Sequence, residues 1–274
     1  MANSRIIVSV TTTASRLRLL YHALQSLFLQ TVNPDLLLVN VSDHPYLQDQ
    51  GIMELPGWLK DDRITVNWER NTGPYRKLIP ALSFADDSDL VVTADDDILY
   101  GPNWLASLVK LAKLNSDVII SARARQMRRT ILGGWQNYAH WPLVKTRTTG
   151  LHLLPTGGAG VVYRKELLDL EFLGNSEFLK IAPTADDLWF RMASLRLRVN
   201  VLVDPAIDSD SIYLPHTKRL YGLNARTGRL GFWRKSYERT VGKARDWLGV
   251  PVTSNDIAWR KLVRFSDNGQ SRQS

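Results

Sequence analysis

Three consecutive carboxylates, Asp95-Asp96-Asp97, follow closely on the apolar run Leu90-Val91-Val92. Three acids at the end of a buried strand are costly unless something positive neutralises them. The run is therefore either a solvated turn or a clamp that holds a hard divalent cation against phosphate oxygens. Mg2+ and Mn2+ usually keep substrate oxygens in their shell, so the triplet suits a metal bound together with a diphosphate. A second acidic pair, Asp186-Asp187, stands just before Leu188, Met192 and Leu195, which recur at helical spacing.

The elements that must position these acids alternate along the first half of the chain. Ile6 to Val10 is β-branched and reads as a buried parallel strand, followed by the polar turn Thr11-Thr12-Thr13. Leu17, Leu20, Leu24, Leu27 and Phe28 predict a helix running to about residue 30, with Ser15 as its N-cap. Leu36 to Val41 is a second strand that ends at Asp43-His44-Pro45, and Ile64 to Trp68 a third. The loop Glu69 to Pro74 leads into a helix carrying Lys77, Leu78, Ala81, Leu82 and Ala85, and Leu90 to Thr93 is the fourth strand. Val118 to Ser121 is another strand, after which the rhythm stops. Residues 122 to 155 mix Trp135, Tyr138, His140 and Trp141 with basic side chains. Gly157-Gly158-Ala159-Gly160 then leads into Val161-Val162-Tyr163, and Val199 to Val203 is the last strand. In open α/β sheets ligands bind beyond the carboxyl ends of the strands. Thr11-Thr12-Thr13, Asp43, Asn71-Thr72-Gly73 and the Asp triplet all fall there, so four polar turns point to one pocket.

Composition bounds the rest. The chain has 274 residues, 44% of them hydrophobic, enough for one large α/β domain with an appendage. It contains no Cys, which excludes disulfides and thiolate metal sites. No apolar run reaches the ~18 residues of a membrane span, so a soluble cytoplasmic protein is expected. The net charge of +8 is concentrated after Leu214, where 13 Lys/Arg face 4 Asp/Glu. A second acid-free stretch, Val118 to Thr149, carries Arg123, Arg125, Arg128, Arg129, Lys145 and Arg147. Such regions favour anionic partners. Residues 232 to 248 interleave aromatic and basic residues, as does a helix lying on an anionic membrane or one docked on the catalytic domain.

Over about residues 5 to 216 the sequence resembles the GT-A glycosyltransferases, particularly bacterial family 2 members. The residues that carry the resemblance are Val8-Ser9-Val10-Thr11-Thr12-Thr13, Asp43 after the second strand, and Thr93-Ala94-Asp95-Asp96-Asp97-Ile98 as the DxD element, followed by Gly157-Gly158 before a strand and Asp186-Asp187 at the head of a helix. The resemblance implies a GT-A (Rossmann-like) fold, with a mostly parallel central sheet flanked by helices. The catalytic domain would span 1–213, its nucleotide-sugar half about 1–100 and its acceptor half about 101–213. A basic, aromatic-rich extension, 214–274, would close or dock on the site.

It also implies roles. Asp97 would ligate Mn2+ or Mg2+, with Asp96 and His216 as further metal candidates, and Asp95 would face the ribose or a metal-bound water. Thr11, Thr13, Arg16, Asp43, Asn71 and Lys77 would line the nucleotide-sugar site, although Arg16 alternatively caps the first helix. Asp187 would be the base of an inverting transfer, supported by Asp186. Gly157, Gly158 and Trp189 would meet the acceptor. The implied donor is a nucleotide-diphospho-sugar, UDP-sugars first among them. The implied acceptor is a glycan or lipid-linked glycan of a surface polysaccharide, with peripheral contact to the inner face of an anionic membrane. A sugar-1-phosphate nucleotidyltransferase is the enzymatic alternative. It would carry a Gly-rich, Arg-containing loop where this chain has Thr11-Thr12-Thr13. A basic polyanion binder is the non-enzymatic one, but clustered Asp would repel phosphate without a metal, so nucleic acid is not an expected partner.

Overall fold

Strands covered on both faces are unbroken apolar runs, and such runs build the centre of the sheet here. The computed structural model describes residues 4–131, 133–215, 251 and 253–270. In chain order the strands are β1 (Ile6–Thr11), β2 (Leu36–Val41), β3 (Thr65–Trp68), β4 (Leu90–Asp95), β5 (Ile98–Leu99), β6 (Ile119–Ser121), β7 (Ala124–Gln126), β8 (Thr148–Gly150), β9 (Leu153–Pro155), β10 (Val161–Tyr163), β11 (Val201–Val203) and β12 (Ile212–Tyr213). Eight of them form one sheet in the order β3-β2-β1-β4-β10-β6-β11-β8. The sheet is parallel except that β10 runs against both β4 and β6, and β8 against β11. The expected α/β architecture with a mostly parallel sheet is the one observed.

The helices cover both faces. They are α1 (Leu17–Phe28), α2 (Ile79–Ser83), α3 (Trp104–Leu114), α4 (Leu170–Leu173), α5 (Phe178–Ile181), α6 (Asp186–Arg196) and α7 (Ser254–Gln270). Side chains alternate between the faces of a strand, and β4 shows the consequence. Leu90, Val92 and Ala94 pack with α1 and α3, whereas Val91 packs with α6 and α7. Continuing the alternation, Asp95 falls on the α6 side.

Several elements differ from the sequence-based expectation. The helix expected around Lys77 is a 3-10 turn, Gly73–Lys77, followed by the short α2. Pro80 explains the break, because proline is tolerated only in the first turn of a helix. The expected N-cap Ser15 lies instead inside a 3-10 turn, Ala14–Arg16. Trp135 and Trp141 of the aromatic stretch close around Trp259 of α7, with ring centroids 5.4 and 5.7 Å from it. Asp256 fastens the start of α7 by accepting hydrogen bonds from Tyr138 N (2.6 Å) and Thr253 N (2.7 Å). Trp141 and Trp259 are thereby buried and offer no stacking platform for a polyanion. Among the described residues, no helix is long and apolar enough to cross a membrane. The basic helix expected at 232–248 lies outside the described residues, as does His216.

Candidate active site

Strand register brings the acids to one edge. Thr11 pairs with Asp95 on β4 and with Asn40 on β2, so the polar turns after β1, β2 and β4 emerge together. Because β10 is antiparallel and Val161 pairs with Thr93, the Gly157–Gly160 loop that enters β10 lies over the carboxyl end of β4. Tyr100 joins the two: its hydroxyl donates to Gly158 O (2.8 Å) and accepts from Asp95 N (2.7 Å). The head of α6 completes the site. No side chain caps α6; instead Asp187 Oδ1 accepts a hydrogen bond from Gly157 N at 3.0 Å. The carboxylate therefore faces across the site rather than serving its own helix.

Lys77 sits at the centre, its ammonium 3.2 Å from Asp95 Oδ1 and 3.0 Å from Asp186 Oδ2. Burial on its own would lower its pKa, but Asp186, Asp95 and Asp187 raise it well above the usual lysine value. Asp95 is held below the ordinary carboxylate value, because Lys77 and Arg16 outweigh its burial. Asp187 behaves differently. Burial, with Asp186 beside it, pushes its carboxyl up to about 7, a value suited to a general base near neutral pH.

The two glycines fit this crowding. A Cβ on Gly157 would lie 2.7 Å from Lys77 Nζ and 2.9 Å from Asp187 Oδ1, and one on Gly158 would lie 2.6 Å from Asp95 Oδ2. The obstructing atoms are side-chain ends, which can move. Gly158→Ala should therefore fold with a nearly unchanged Tm yet displace the Asp95 carboxylate. A displacement on the order of 1 Å at a reacting site costs about 10²-fold in rate, and kinetics beside a melting curve would check both halves.

Asp96 corrects one expectation. Burial pushes its carboxyl up to about 6, and both oxygens are engaged, Oδ2 by Thr12 Oγ1 at 2.6 Å and Oδ1 by Arg16. It is turned into the protein and is not positioned as a metal ligand. Arg16 also pairs with Asp97 Oδ2 at 3.0 Å, so its guanidinium neutralises the triplet rather than capping α1. Among the described residues no group of three or more His, Cys, Asp or Glu is arranged to hold a metal. The donor set still fits a hard cation. Asp97 offers a partly exposed carboxylate that would serve as an oxygen ligand, with Asp95 two residues before it. Mg2+ and Mn2+ commonly take only one or two carboxylates and complete their shell with water and substrate phosphates.

The remaining predicted residues divide. Thr11 and Thr13 are at the carboxyl edge, and Thr11 Oγ1 donates to Asn40 O at 3.0 Å. Asp43 is exposed after β2, with His44 Nδ1 2.5 Å away. Asn71 is structural: its amide donates to His44 O (2.7 Å) and Asp49 Oδ2 (2.9 Å). Trp189 is also corrected. It is 0% exposed, is stacked on Phe172 and donates to Leu173 O, so neither ring face is free for an acceptor.

Sequence reasoning passed over Asp49, Arg76 and Arg123. Asp49 is buried and accepts from Ala14 N, Gly51 N and Asn71, with Arg76 3.4 Å away, which ties three loops together. Arg123 follows β6 at the same edge, donates to Thr156 Oγ1 (2.9 Å) and Tyr213 OH (2.8 Å), and helps hold Asp95 ionised. The acid-free stretch around Arg123 was its one sequence signal; Asp49 had none.

No family model matches the chain, and no curated protein matches it. Among solved structures it is similar to S. aureus TarS 1-349, with a TM-score of 0.44 and 17% identity over 73% of this chain and 57% of that one. It is similar to S. aureus TarS 1-349 in complex with UDP over the same shares, with a TM-score of 0.44 and 16% identity. The chain thus covers less than two thirds of the length of these structures.

Proposed function

We propose that the chain is a metal-dependent GT-A glycosyltransferase. It moves a sugar from a nucleotide-diphospho-sugar, UDP-sugars first among them, to a hydroxyl of a glycan or lipid-linked glycan, with inversion, in building a surface polysaccharide. The observation that carries this reading is the placement of Asp187, a half-buried carboxylate whose carboxyl is pushed up to about 7, across Lys77 from Asp95 at the end of β4. In the reaction the acceptor oxygen bonds to the anomeric carbon while Asp187 takes its proton. The bond from that carbon to the phosphate oxygen breaks, and the electron pair leaves with the nucleoside diphosphate.

Each neighbouring residue has a part in this scheme. Asp186, paired with Lys77, orients the acidic pair. Thr11, Thr13 and Asp43 hold the nucleoside side, and the Gly157-Gly158 backbone lies against the acceptor. Asp97 would hold Mn2+ or Mg2+, which as a Lewis acid compensates the charge of the leaving diphosphate. A thermal-shift panel of sugar nucleotides with and without Mn2+, followed by product analysis, tests the reading. The matching donor at about 100 times its Kd should add about 2.7 kcal/mol of stability, and transfer should follow. Pyrophosphate released from a nucleoside triphosphate and a sugar 1-phosphate would instead indicate a nucleotidyltransferase.

A further inference from the structure

Lys77 is an unusual residue to find closed off from solvent. Its side chain retains 7% of its exposure, and the Gly157 backbone passes so close that a single added methyl would meet Nζ at 2.7 Å. Burying an ammonium is unfavourable unless its charge is matched in good geometry. The match here comes from two different elements: Asp95 at the end of β4, and Asp186 at the head of α6. A lysine that serves only to grip a phosphate needs its ammonium turned to the ligand; this one is held between two carboxylates.

We propose that Lys77 is a positioning residue for the reaction above: its ammonium ties the donor-side carboxylate Asp95 to the acceptor-side pair Asp186-Asp187, and so keeps Asp187 anionic and available to the acceptor hydroxyl. The inference rests on the reading of Asp187 as base and adds the group that sets its charge state. The groups that face Asp187 are Asp186 on its own helix, Lys77 from the 3-10 turn after residue 72, Asp95 from β4 and the Gly157 amide. The phenols of Tyr75 and Tyr163 also face it. Arg191, further along α6, is bonded to Ser194 and to the carbonyls of Val199 and Leu151. Burial, Asp186 and Asp95 all favour the protonated acid; Lys77 is the cation that opposes them most strongly.

Lys77→Met removes that opposition. The carboxyl titration of Asp187, followed by 13C NMR and assigned by its loss in Asp187→Asn, should move to higher pH by about one unit or more. The acid limb of kcat/KM should move with it, while UDP affinity by calorimetry changes by less than about threefold. An unmoved titration would overturn the proposal; if UDP affinity also fell tenfold or more, Lys77 would instead be a phosphate ligand.

Three acids without their cation could also prevent folding. The charge-balanced double variant Lys77→Met/Asp186→Asn answers this when compared with Asp186→Asn alone. An Asp187 titration higher in the double variant supports the link, and superimposed titrations refute it. These titrations need no substrate, whereas sugar transfer by the parent protein reads the proposed reaction, so the two ideas can fail separately.

Discussion

Asp187→Asn is expected to cut sugar transfer by about 10²–10⁴-fold, the usual contribution of a positioned general base, while nucleoside diphosphate still binds. The substitution is nearly isosteric, and the amide oxygen of Asn can still accept from Gly157 N, a bond now 3.0 Å long. What disappears is the capacity to take a proton. The pH profile gives the second signature. A carboxyl raised to about 7 by burial is protonated below that pH and ionised above it. The parent kcat/KM should therefore rise with pH up to about 7 and then level off on this account. An unperturbed carboxylate would place the same limb near about pH 4. The residual activity of the Asn variant should lack the limb altogether. Wild-type turnover in Asp187→Asn, or a parent limb near pH 4, would remove Asp187 from the role.

The acidic ends of the site were the most legible part of the sequence, and the reason is periodicity. Leu90 to Val92 declares a buried strand, so whatever follows must emerge at its carboxyl end. Strand alternation then puts Asp95 on the α6 side, where Asp186 and Asp187 arrive. Trp189 shows where this logic stops. A helix apolar on one stripe reveals which face is wet, but α6 buries Leu188, Trp189, Phe190, Met192 and Ala193 alike. With no polar face to contrast, the sequence cannot say that an indole beside the acids points into the core.

Charged residues failed for the opposite reason. Arg76 and Lys77 look like a surface pair and are both buried, because their partners Asp49, Asp95 and Asp186 come from distant segments. Asp49 lies in an irregular loop whose position only the assembled sheet defines. Short strands fail as well: nothing in Val161-Val162-Tyr163 states that β10 enters the sheet in reverse. That reversal is what lays the glycine loop over Asp95.

Asp97→Ala is expected to reduce kcat by about 10³-fold, the equivalent of several kcal/mol of metal-derived stabilisation of the leaving group. Folding should be little affected. Asp97 is only partly buried, Arg16 keeps its pairing with Asp96, and the ion pair that is lost spans 3.0 Å between groups 17% and 20% exposed. The informative comparison is with metal removal. Chelation of the parent should depress transfer to the level of the variant, and added Mn2+ should restore the parent but not Asp97→Ala. Manganese bound in the presence of UDP, counted by electron paramagnetic resonance, should fall in parallel. The competing account is that Arg16, already at the triplet, compensates the diphosphate without a metal. On that account chelation leaves the parent unchanged, and Arg16→Gln, rather than Asp97→Ala, removes activity. The two accounts draw the positive charge from different groups, a bound cation or the Arg16 guanidinium, so a chelator and two variants decide between them.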